Sequence, residues 1–120
     1  MSILATVILA MPCFAWAESE RYYQEKFNNE VAHGKLEVVL KHGRADIVND
    51  EYAIEVDFAK KWKEGIEQCL RYATDTRKKP GLVLITGKNV GDVTKCTMAK
   101  TVCWLMDIKL WIVKIKENNK

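Results

Sequence analysis

Three carboxylates on two short β-like runs are the residues of this chain whose types and spacing best suit chemistry. Asp46 lies in Gly43-Arg44-Ala45-Asp46-Ile47-Val48, and Glu55 and Asp57 lie in Ala53-Ile54-Glu55-Val56-Asp57-Phe58. Aspartate is a poor strand former, and a carboxylate is costly to bury without a cation or donors beside it. Side chains alternate along a strand, so Glu55 and Asp57 share one face while Ile54, Val56 and Phe58 take the other. With Asp46 reaching that face from the preceding strand, a divalent ion held by Asp46, Glu55 and the Val56 carbonyl would keep positions open for water and phosphate. Such an ion activates the water and neutralises charge on a phosphoryl oxygen. Glu30, at the end of the first helical segment, is placed to complete the acidic group. Each acid alone reads most simply as a turn or solvated-face residue, and only the combination points to a metal.

The elements that must position these acids follow from periodicity. Glu18 to about Val31 carries Tyr23, Phe27 and Val31 at four-residue spacing, which predicts an amphipathic helix ended by His33-Gly34. Leu36–Leu40, Arg44–Val48 and Tyr52–Phe58, separated by turn residues, predict a three-stranded antiparallel meander. From Lys60 to Thr74 the residues Trp62, Ile66, Cys69, Leu70 and Ala73 follow helical spacing. Arg77-Lys78-Lys79-Pro80-Gly81 breaks that helix, and Leu82-Val83-Leu84-Ile85 is the continuous apolar run of a strand buried on both faces. A last helix over Gly91–Met106 and a strand over Lys109–Ile115 complete an α-βββ-α-β-α-β order. The fold class is α/β, a central sheet with helices on both faces. Trp62, Trp104 and Trp111 are expected in the core, and His33 and His42 in exposed turns.

With 120 residues, 48% of them hydrophobic, the chain supports one domain. Residues 1–17 carry no charged side chain, and Ile3–Met11 is an apolar run shorter than a membrane span, followed by Ala15-Trp16-Ala17. This predicts a secretory leader over 1–17 that lacks a basic n-region, a mature domain over 18–120 in the periplasm or outside the cell, and no stable membrane association after its removal, the alternatives being an internal start site or a buried N-terminal helix. A net charge of +3 permits nucleic acid as a partner without demanding it. The basic residues Lys60, Lys61, Lys63, Arg71, Arg77, Lys78 and Lys79 gather around one helix, as a solvated face or a phosphate-tracking patch. Cys69, Cys96 and Cys103 have no C-x-x-C spacing and no histidine at ligand spacing, which argues against zinc and for plain buried thiols.

The order Glu30, Asp46, Glu55-Val56-Asp57 and Gln68-Cys69-Leu70-Arg71-Tyr72 resembles the PD-(D/E)xK nuclease superfamily. The Gln-x-x-x-Tyr helix is similar to that of its RecB and lambda-exonuclease branch. The resemblance covers roughly Glu30 to Ile85. It implies a restriction-endonuclease-like α-βββ-α-β core with a mixed central sheet, Asp46 and Glu55 binding Mg2+ (or Mn2+), and Gln68 and Tyr72 contacting a nucleic-acid substrate, DNA rather than RNA. It also implies a lysine two residues after Glu55, where this chain has Asp57. Lys60 and Lys61 are the candidate replacements, since an amine reaching back from the next helix could polarise the attacking water. In helical projection Lys61 lies only about 20° from Gln68 and Lys60 roughly 80° away, so Lys61 is preferred.

The function expected is therefore metal-dependent hydrolysis of phosphodiester bonds. Asp46 and Glu55 would hold the ion, Lys61 or Lys60 would assist the water, and Asp57 and Glu30 would adjust the metal or a second one. The alternative from another class is a nuclease-like domain that lost chemistry with its lysine and now only binds nucleic acid. An interaction module using the fold structurally would leave the acids unexplained.

Overall fold

The computed structural model describes residues 19–115. The expected leader lies outside the described residues. Helix α1 (Glu20–Phe27) starts at Ser19, whose hydroxyl accepts the Tyr22 N–H, and runs into a π-helical turn over Asn28–Ala32. His33 ends it in the left-handed conformation (φ 52°). The Asn28 amide then exchanges two hydrogen bonds with the Gly34 backbone, at 2.7 and 3.0 Å, which directs the chain into the sheet.

Strands β1 (Lys35–Leu40), β2 (Gly43–Val48) and β3 (Tyr52–Phe58) form the antiparallel meander. A 3-10 turn (Ala59–Lys61) leads into α2 (Trp62–Thr76), then β4 (Lys79–Thr86), α3 (Val90–Met106) and β5 (Lys109–Lys114). The sheet order is β1-β2-β3-β4-β5, with β4 parallel to both β3 and β5. The sheet is thus mixed, and the expected element order is the observed one.

Two apolar layers sandwich the sheet. Tyr23 and Phe27 of α1 pack on Ile47, Ile54, Val56, Val83 and Ile85, with Phe27 edge-on to Trp111 at 5.1 Å between ring centres. On the other face Trp62, Ile66 and Cys69 of α2 and Cys96, Ala99 and Cys103 of α3 cover Leu82 and Leu84. Leu82 to Ile85 are wholly buried and alternate between the layers, as a parallel central strand requires. The three cysteines are free thiols inside this core. Trp104 departs from expectation. It stands 80% exposed on α3, because the α3 face that packs is the narrow small-residue stripe Cys96-Ala99-Cys103.

Candidate metal centre

Asp46 sits at a fault in the sheet. The β1–β2 pairing runs in register from Lys35↔Val48 to Leu40↔Gly43 but omits the Glu37–Asp46 step, and Glu37 takes a left-handed backbone, φ 53°. A non-glycine residue held there is strained, and such strain persists only where its surroundings enforce it. The β2–β3 ladder consists of Ile47↔Ile54 and Val48↔Ala53 and goes no further. Beyond it β2 and β3 part, and side chains take over the backbone groups that the ladder leaves.

Those side chains are the predicted acids. The Asp46 N–H donates to Glu55 Oε2 at 3.0 Å, and the Val56 N–H donates to Asp46 Oδ2 at 2.8 Å. The Asp46 carbonyl accepts from Gln24 Nε2 of α1 at 2.9 Å, and the same nitrogen lies 2.6 Å from Glu37 Oε2. Glu37 is further held by Arg44 at 3.1 Å. A strand residue projects its N–H and C=O to the same side. The Val56 carbonyl therefore faces the gap between β2 and β3, beside Asp46.

Asp57 follows on the same face of β3, turned toward α2. Its Oδ2 is buried and has no hydrogen-bond partner. Gly65 makes room for it, since a Cβ there would lie 2.7 Å from Asp57 Oδ2 and 2.7 Å from Leu82 Cδ1. Glycine inside a helix costs about 1 kcal/mol relative to alanine. The close approach of α2 to the acid-bearing strand is what that glycine permits.

Burial dominates the electrostatics. Glu55 is 4% exposed and Asp57 7%. Desolvation, then the Asp46 charge, push the Glu55 carboxyl up to about 9. Desolvation, then Glu20 and Asp46, push Asp57 up to about 7, with Lys61 pulling against them. Asp46 rises to about 6, again chiefly by desolvation, although the Val56 N–H opposes it. Lys61 and Arg44 offset this only in part, and a divalent ion would relieve the remaining repulsion and desolvation.

Among the described residues no three His, Cys, Asp or Glu side chains form a ready-made metal cage. The donors that fit an ion here are the Asp46 and Glu55 carboxylates and the Val56 carbonyl. Two carboxylates with open positions is the sparse set that Mg2+, which keeps its waters, ordinarily uses.

Other expected site residues are distributed unevenly. Lys61 is exposed at the start of α2, and its charge bears on Asp57. Lys60 borders a shallow depression with Phe58, Ala59 and Asp92 instead. Gln68 is half-buried on α2. Tyr72 is 5% exposed, packed with Ala45 and Ala53, and its hydroxyl lies beneath Gly43, so it presents no open face to a substrate. The expectation of a substrate contact at Tyr72 is corrected to a packing role, because α2 turns that face toward β2. Glu30 is corrected too. It is exposed on the π-helical turn and paired with Lys26 at 2.8 Å, whereas Glu20, three turns earlier, is the α1 acid that weighs on Asp46, Glu55 and Asp57. Gln24, Glu37 and Gly65 were not singled out from sequence. A buried glutamine one turn after Glu20 on the helix facing Asp46 was the available signal for the first.

No family profile matches the chain and no solved structure matches it. A protein of Acanthamoeba polyphaga mimivirus named for a KilA-N domain is 30% identical over 79 residues, 66% of this chain. That stretch is 21% of the viral protein, so the chain spans about a fifth of its relative's length.

Proposed function

We propose that this domain is a metal-dependent nuclease, hydrolysing phosphodiester bonds of nucleic acid, DNA above all. The observation that carries the reading is the crossed pair at the β2–β3 split. Asp46 and Glu55 each give one oxygen to the other strand's backbone, which brings the two carboxyls together at the gap between β2 and β3. Beyond those backbone hydrogen bonds, a shared cation would turn the mutual repulsion of the two carboxylates into common coordination. The α-βββ-α-β order and mixed sheet agree with the restriction-endonuclease-like core that the resemblance implies. The viral similarity adds to nucleic acid as the partner, KilA-N being a DNA-binding domain.

In this reading Asp46, Glu55 and the Val56 carbonyl hold Mg2+ or Mn2+, which when bound lowers the pKa of a water and offsets charge on the phosphate. Gln24 fixes the Asp46 backbone so that its free oxygen keeps its aim. Lys61 supplies the positive charge that the lysine missing at Asp57 would otherwise bring, and Asp57 orients or restrains that ammonium. Gln68 meets the strand at the helix edge.

The test is cleavage of a labelled DNA oligonucleotide with Mg2+ or Mn2+, with chelator, and in Asp46→Asn. Metal-dependent cleavage lost in the variant, with an unchanged circular dichroism spectrum, is expected. A parent protein that binds DNA yet cuts with neither metal would replace this reading with that of a silent binding module.

A further inference from the structure

Away from the acids lies a cavity of about 890 Å3 at the carboxyl ends of β4 and β5, closed on one side by α3. Lys88, Lys100 and Lys114 line it together with Val93, Ile112 and Ile115, and among the described residues no acid does. This volume is that of a small-molecule site.

The cavity and the acid-bearing strand share one edge of the sheet, Asp57 lying one residue and Glu55 three residues before the end of β3. β3, β4 and β5 are parallel, with Phe58 beside Ile85 and Thr86 beside Lys114, so all three end on this edge. The Gly87 N–H donates to Asp92 Oδ2 at 2.8 Å. Gly87 lines the large cavity, and Asp92 lines the depression that Lys60 and Phe58 border. Neighbouring strands lie about 4.8 Å apart, so the cavity is one to two strand spacings across the sheet from β3, and it begins about four residues, roughly 13 Å, further along than Glu55, which pairs with Leu82. That span is on the order of a few nucleotides of strand.

We infer that this cavity seats a nucleotide, its phosphate among Lys100, Lys114 and Lys88 and its base against Ile112, Ile115 and Val93. Resting on the nuclease reading, the site would hold a nucleotide a few positions along the strand from the bond cut at Asp46 and Glu55. A base needs an apolar platform and its phosphate a cation, and this cavity is lined by both.

The experiment compares the parent with Lys100→Gln/Lys114→Gln, both lysines being exposed and their replacement therefore compatible with folding. Binding of a fluorescent single-stranded oligonucleotide is titrated by anisotropy without divalent metal, at several salt concentrations. Each lost phosphate contact removes about 0.7 from the slope of log K against log salt, so the double variant should lose about 1.4 in slope and bind about 25-fold more weakly at 0.1 M salt. Lys109→Gln, at the opposite end of β5, should bind as the parent does. An unchanged slope and affinity in the double variant overturns the inference. Titrating deoxyadenosine monophosphate and inorganic phosphate separates the sources: competition by the mononucleotide places a free nucleotide in the site, and competition by neither, with the slope loss present, places a strand there. Cleavage is read in parallel. A parent that never cuts while the double variant loses binding defeats the nuclease reading alone, and a double variant that binds and cuts like the parent defeats the cavity alone.

Discussion

Replacing Glu55 with glutamine should stabilise the metal-free protein at alkaline pH, although it removes a central residue of the proposed site. The Glu55 carboxyl rises from 4.5 to about 9 on folding. Below its unfolded value both states carry the proton and nothing is lost. As pH climbs from there toward the folded value the unfolded chain releases a proton that the folded chain keeps, so stability falls. At about 1.36 kcal/mol per pKa unit, the fall by about pH 8 approaches 5 kcal/mol, an upper figure because Asp46 shares the same repulsion. Glutamine still accepts the Asp46 N–H and carries no titration. A gain of about 2–4 kcal/mol near pH 8 is therefore expected, vanishing near pH 4. Urea denaturation at both pH values measures it. Adding Mg2+ at about tenfold its dissociation constant should raise the parent by about 1.4 kcal/mol and leave the variant unmoved. A variant no more stable than the parent near pH 8 would refute the claim that burial holds the proton on Glu55. An equal Mg2+ shift in both would place the ion elsewhere.

Four further outcomes follow from the same geometry. Lys61→Ala should lower the cleavage rate by about a hundredfold or more with substrate affinity little changed, and Lys60→Ala should do far less, read in single-turnover cleavage. Gln24→Ala leaves the buried Asp46 carbonyl without its donor and should cost about 1–3 kcal/mol of stability by denaturant titration, together with weaker Mg2+ binding by calorimetry. Gly65→Ala drives a methyl into Asp57 and Leu82 and should destabilise by about 1–3 kcal/mol, even though alanine is the better helix former. Asp57→Asn removes a carboxyl whose folded value of about 7 exceeds its unfolded 3.8, so the variant should gain stability as pH rises through that interval and match the parent below it.

The sequence disclosed the frame well because each element has a strong local signal. Tyr52–Phe58 emerged with both boundaries as expected, its alternation and flanking turn residues leaving little choice of register. The doubly buried character of Leu82–Ile85 was equally plain. What stayed hidden was tertiary. Periodicity put Tyr72 one turn beyond Gln68, but only the packing of α2 against β2 decides that its ring goes inward. Glu30 looked well placed as the last acid before the sheet, yet it stands exposed on the π-helical turn beside Lys26, and Glu20 is the α1 acid whose charge bears on the site. Trp104 shows the converse error, an aromatic assumed buried where α3 presents only small residues to the sheet. The strained Glu37 has no sequence signal, since nothing about glutamate announces a left-handed backbone.

The crossed pair at the split strands has one more consequence. In an ordinary sheet each inward amide hydrogen is shielded by a neutral carbonyl, whereas here those of Asp46 and Val56 rest on carboxylates. Their nuclear magnetic resonance frequencies and rates of exchange with solvent must follow the charge of the acid that accepts them. The two backbone protons are thus built-in gauges, Asp46 reading Glu55 and Val56 reading Asp46. Together they report proton uptake or cation arrival at each acid separately, without a substrate and without altering a single side chain.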